Sequence, residues 1–216
     1  MRVRWAGTMS LLGGVYFMVS GIAFAVAHGS TTYNRNDPWL GVSAVELSQF
    51  MFLSPLFFFI ALLGYEESFE KVGRMGRVGL RTAQGSCLLQ SVSFILQTNI
   101  VDPLTEWRSP VVVGGWLLFL LTVLSFVVGM SLWGAALAVR RALPRAEALL
   151  FLAVGVCSLG ALLLEFWISE TSDGSLMWEI AIGVKNVPLA LCWMGLGVAS
   201  LSRAGRRGDG FGSMRA

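Results

Sequence analysis

The sequence predicts an all-α fold, a polytopic bundle of about six transmembrane helices with both termini in the cytoplasm. Three observations carry this. Charged residues make up only 13% and hydrophobic residues 55% of the 216-residue chain, with mean hydropathy +0.69, whereas a soluble domain carries about 25% charged residues. Several apolar segments reach the ~20 residues a helix needs to cross a bilayer. Thirteen of the sixteen basic residues fall on one side once the first segment is placed with its start inside, as the positive-inside rule requires.

The elements follow in order. The first span covers residues 8–27, behind Arg2 and Arg4; the second covers 39–64 and opens at Trp39. The third, 78–101, is the most polar, and the fourth, fifth and sixth cover 111–139, 146–168 and 176–201. Lys71, Arg74, Arg77 and Arg81 then lie inside around the start of the third span, Arg140, Arg141 and Arg145 between the fourth and fifth, and Arg203, Arg206, Arg207 and Arg215 after the sixth. Arg35 and Arg108 are the basic residues of the outer loops, and Trp39, Trp107, Trp167 and Trp178 fit an aromatic belt at that interface. A second reading of the start stays open: Arg2, Arg4, the apolar run and Ala25-Val26-Ala27 also have the form of a cleavable signal peptide. The run is long for that, and Gly13, Gly14, Ser20 and Gly21 suit a packed helix, so we expect the first helix to be retained.

Between the second and third spans, Glu67–Lys71 and Glu70–Arg74 have the spacing of favourable i,i+4 pairs, so a helical continuation of the second span is expected. Residues 1–201 form one transmembrane domain, and 202–216, rich in Gly and Arg, are expected to be a disordered basic tail. Three spans per half would give inverted halves, but Gly13-Gly14 and Gly114-Gly115 are the only likeness between them. The stretch ALLGYEESFEKVGRMGRVGL, with its GRxGRxG motif, and the opening LLGGVYFMVSG resemble a diffuse group of small six-helix bacterial membrane proteins of unknown function. The likeness spans about a third of the chain; it implies the architecture and no activity. The excess of arginine over lysine is that of a GC-rich, prokaryotic source.

Polar groups inside lipid are costly and need a partner or a purpose. Thr82, Ser86, Gln90, Ser93 and Gln97 recur at helical spacing and form one stripe along the third span. The stripe either hydrogen-bonds neighbouring helices, at ~0.6 kcal/mol per contact, or lines a polar path. Glu46, Glu165, Glu179 and Lys185 are ionisable residues within spans, and helix direction places all four in the outer half. A lysine alone at the helix centre costs ~3 kcal/mol on insertion scales. Lys185 is therefore expected to pair with Glu46, and failing that with Glu165. With Gln49, Gln90, Gln97 and Asn186 these residues make the candidate intramembrane polar site.

No catalytic chemistry is written in the motifs. His28 is the single histidine, and there is no GxSxG serine, P-loop or dinucleotide fingerprint. Lys185 lacks an acid one turn earlier (Ala181 is there), against a retinal Schiff base. Cys87, Cys157 and Cys192 have no CxxC spacing and lie in apolar spans, so neither a disulfide nor a metal framework is expected, and no cofactor site stands out. The net charge of +3 is spread over short loops, which suits anionic headgroups rather than nucleic acid. The expectation is a multi-pass cell-membrane protein acting as a non-catalytic subunit or scaffold, with a membrane protein as partner. The alternative is a small permease- or receptor-like protein with an outward-facing polar pocket. An enzyme acting on lipid or quinone comes third, without a motif.

Overall fold

The computed structural model describes residues 2–29, 38–39, 42–43, 52–66, 69–96, 110–171 and 186–212. Its helices are α1 (Arg2–Gly29), α2 (Leu53–Leu63), α3 (Phe69–Ile95), α4 (Pro110–Arg140), α5 (Arg145–Thr171) and α6 (Val187–Gly212). Each packs on the next, and α6 returns to α1, so the six close into a ring. The contacts fix the directions. Ser91 of α3 meets Phe52 before α2, while Arg81 meets Glu66 after it. Ser93 meets Gly115, and Gly76 meets Ala136. Glu147 meets Arg203, and Gly14 meets Ala190 while Gly7 meets Leu201. Chain direction thus alternates around the ring, and the start of α1 lies beside the last turns of α6.

Four helices, at Val3–Ile22, Val113–Arg140, Arg145–Leu164 and Val187–Gly205, are long and apolar enough to cross a membrane. At 1.5 Å per residue the 31 residues of α4 extend ~46 Å, well over a ~30 Å hydrocarbon core. The outward faces are apolar: Leu149, Val156 and Leu163 of α5 recur every two turns, and Leu117, Leu121, Leu124 and Val128 line α4, all exposed. Water would not tolerate that surface, since contiguous apolar patches on soluble monomers rarely exceed a few hundred Å². The interior is aromatic. Phe58 stacks flat on Trp193 at 4.2 Å, Phe17 meets Phe58 edge-on, and Phe151 takes Tyr65 at 4.9 Å and Trp133 at 6.4 Å.

Small residues let two seams close to backbone contact. A Cβ on Gly79 would sit 2.8 Å from the Gly129 carbonyl oxygen, and one on Gly129 would sit 2.6 Å from the Ala83 nitrogen. The α1–α6 seam does the same through Gly7 and Gly197. Such approaches gain packing between helices, for which lipid supplies no hydrophobic drive. This explains the GRxGRxG motif. Gly76 and Gly79 lie against α4, whereas Arg74 and Arg77, one residue out of phase, stay exposed. Gly73 has φ 69°, a left-handed break only glycine takes without strain, which separates the first turn of α3 from its continuous remainder.

The α4–α5 corner ends α4 in a Schellman arrangement: Ala142 N–H donates to Leu137 O at 3.2 Å and Arg141 N–H to Ala138 O at 3.4 Å. The left-handed residue this needs is Arg141, at φ 52°, where glycine is usual.

The expected second span is corrected at its start. Pro38–Trp39 and Val42–Ser43 pair as short antiparallel strands, with Trp39 opposite Val42, rather than opening a helix at Trp39. Proline, a glycine between the strands and β-branched Val42 favour a tight hairpin over helix. Nor does the second helix continue through the loop. Gly64 and Tyr65 close it with N–H bonds to Ala61 O and Leu62 O, and α3 starts afresh at Phe69. At the other end, α6 carries helix through Gly212, so residues 202–212, expected to be unstructured, extend it.

Candidate functional site

One cluster of described polar side chains lies toward the end of the ring where α1 begins, against the middle of α6. Tyr65 and Glu66, just past the Gly64 cap of α2, reach in different directions. Tyr65, 2% exposed, shares a 2.6 Å hydrogen bond with Ser200 of α6. Ser10 of α1 faces the same phenol, and its fully buried Oγ has no hydrogen bond of good geometry. Beside them Glu147, in the first turn of α5, is 3.1 Å from Arg203 of α6, their side chains 3% and 17% exposed. Burial pushes the Tyr65 phenol up to about 12, and the Ser200 bond opposes that shift. Glu147 gains twice: from the guanidinium, and from the positive pole of its own helix N-terminus.

Glu66 turns to α3. Its Oε1 is 2.8 Å from Arg81 and accepts from Gln84 Nε2 at 3.2 Å, while Arg81 donates to Gln84 Oε1 at 3.2 Å. Adjacent residues at the α2–α3 corner therefore fasten that corner to α6 on one side and α3 on the other. Chemically the set is mostly paired, leaving the buried Ser10 Oγ and Arg203 Nε without a hydrogen bond among the described residues. The carboxylates face guanidinium groups, and the phenol is held neutral against a serine. No serine among them has the basic partner that nucleophilic catalysis needs.

On the polar stripe of α3, Ser93 donates to Gly115 O of α4 at 3.0 Å and Ser86 to Thr82 O at 2.8 Å within its own helix. Ser91, off the predicted stripe, reaches Phe52 O at 3.0 Å. Gln90 is half-buried. Of the remaining predicted residues, Glu46, Gln49, Gln97 and Lys185 lie outside the described residues, as does the side chain of Glu165. Asn186 stands at the N-cap position of α6, its carbonyl accepting from Ala190 N–H, and its amide packs at Gly21 of α1. Sequence reasoning missed Ser10, Tyr65, Glu66, Gln84, Glu147 and Ser200, and took Arg203 only as a topology charge.

Among the described residues no group of three or more His, Cys, Asp or Glu is placed to hold a metal ion. Comparison with known proteins finds no matching family model, no matching curated protein and no matching solved structure.

Proposed function

We propose that the chain is a multi-pass cell-membrane protein that crosses six times, keeps both termini in the cytoplasm and acts as a non-catalytic subunit or scaffold. The single observation that carries the scaffold reading is the pairing of Tyr65 with Ser200 and of Glu147 with Arg203 beneath an aromatic interior. A transport route needs polar groups free to exchange water for substrate. Here the described buried polar side chains are engaged mainly with one another or with backbone, and Phe58, Trp193, Trp133 and Phe151 fill the space beside them. The alternating helix directions and the basic residues gathered at one end support the orientation. Exposed Arg74, Arg77, Arg140, Arg141 and Arg145 would rest among anionic headgroups on the cytoplasmic side, at about 1 kcal/mol each. The apolar outer faces of α4 and α5 would meet lipid and a membrane partner.

Hydroxyl-radical footprinting of the chain in nanodiscs tests the packed interior. Phe58, Trp133 and Trp193 should stay unoxidised while exposed Trp5 is modified. Oxidation of Trp193 at a rate near that of Trp5 would mean a water-filled path and favour the permease reading, with the Glu46, Glu165 and Lys185 set as its outer site.

A further inference from the structure

We propose that Cys157 and Cys192 form a two-thiol binding site for a soft monovalent cation, Cu(I), at half-depth of the α5–α6 seam. The residues are 35 apart in sequence and sit on different helices, yet their sulfurs are 3.9 Å from one another. Both are partly exposed and pack against the core, whereas Cys87 is wholly buried. Their depth follows from the ion pair on the same seam. Cys157 is ten residues beyond Glu147 and Cys192 eleven before Arg203, each ~15 Å along its helix. That is about half of a ~30 Å hydrocarbon core. The proposal does not depend on the scaffold reading.

The sulfur gap discriminates between the uses of such a pair. A disulfide of ~2.05 Å would require the sulfurs to close by roughly 1.9 Å. Two metal–sulfur bonds of ~2.3 Å span 3.9 Å at an angle of about 116°, and reach linearity with an opening of only about 0.7 Å. Zinc prefers four ligands, and the described residues supply no third His, Cys, Asp or Glu here. Soft sulfur ligands select Cu(I), a closed-shell ion content with two of them. The charge balance suits lipid. One Cu⁺ enters as one thiol proton leaves to solvent; one sulfur binds as thiolate and the other donates a lone pair as thiol. No electrons move, and the site stays neutral where net charge is expensive.

The test is anaerobic titration of the full-length chain in detergent with the coloured Cu(I)–bicinchoninate complex. The wild-type chain should withdraw one Cu(I), Cys157→Ser and Cys192→Ser should each withdraw none, and Cys87→Ser should match the wild type. Copper-edge X-ray absorption on the loaded wild-type chain needs no variant and should show two sulfur neighbours. The proposal is overturned by a wild-type chain that takes no copper from the chelator, by binding that survives Cys157→Ser, or by a first shell of nitrogen and oxygen alone. Spontaneous loss of two thiols in air from a chain that binds no Cu(I) would assign the pair to a disulfide instead.

Discussion

Replacing Arg203 with methionine removes the cation facing Glu147 while keeping much of the side chain's length. Glu147 is 3% exposed, so it cannot recover its lost partner from water. Removing one member of a buried pair costs ~3–5 kcal/mol, largely because the other charge is stranded. Glu147→Gln strands Arg203 instead. That guanidinium is 17% exposed near the end of the ring and can snorkel outward, so this loss should be smaller, ~1–3 kcal/mol, in the range for an unmet polar group. The double variant leaves no stranded charge and should fall well short of the sum. Reversible unfolding in mixed micelles, followed by tryptophan fluorescence, measures all four corners of the cycle. A coupling above ~1 kcal/mol is expected, since groups in one network typically couple by 0.5–3 kcal/mol. Additivity within ~0.5 kcal/mol, or Arg203→Met no worse than Glu147→Gln, would refute the view that a buried carboxylate depends on this guanidinium.

Tyr65→Phe should cost about 1 kcal/mol in the same assay, the worth of one hydrogen bond, and Ser200→Ala added to it should cost little more. Because the Tyr65 phenol is pushed up to about 12 from an ordinary 10, its protonated form is favoured by folding. That stability should be full below pH 10 and decline as the pH rises towards 12, and the alkaline decline should shrink in Tyr65→Phe. Gly129→Val should prevent stable folding, its side chain meeting the Ala83 nitrogen and the Gly79 carbonyl; a melting temperature near wild type would contradict the α3–α4 seam. Arg141→Gly should stabilise by about 1 kcal/mol through relief of left-handed strain, and a lowered melting temperature would show that the arginine's charge outweighs it.

Much of the helical plan was legible because lipid makes length and hydropathy decisive. The fourth and fifth spans, 111–139 and 146–168, coincide with the bodies of α4 and α5. The GRxGRxG motif was visible as a pattern, yet its meaning depended on Gly129 and Ala136 lying opposite, which spacing within one helix cannot reveal. The clasp was harder still. Tyr65 and Ser200 are 135 residues apart, and neither residue type stands out in its own segment. One signal was available. Glu147 follows closely on Arg140, Arg141 and Arg145 and opens an otherwise apolar segment, where an acid invites a search for a cation on a neighbouring helix. The hairpin at Pro38–Trp39 and Val42–Ser43 was overridden in reading by the apolar run behind it, though proline and glycine marked the turn. The alternating directions were implied by the loop charges, but ring closure through α1 and α6 rests on Gly7, Gly14 and Gly197 meeting across the whole length of the sequence.

Sidedness is the most direct measurement of the central claim, a six-crossing membrane bundle with its basic end in the cytoplasm. Single cysteines are placed at Asn34, Thr105, Asp173, Met75 or Gly208 in a background lacking the three native ones, and intact cells are treated with a membrane-impermeant thiol reagent. A bundle in this orientation gives labelling at Asn34, Thr105 and Asp173, with Met75 and Gly208 labelled only after the cells are opened. Labelling of Gly208 or Met75 in intact cells would contradict it.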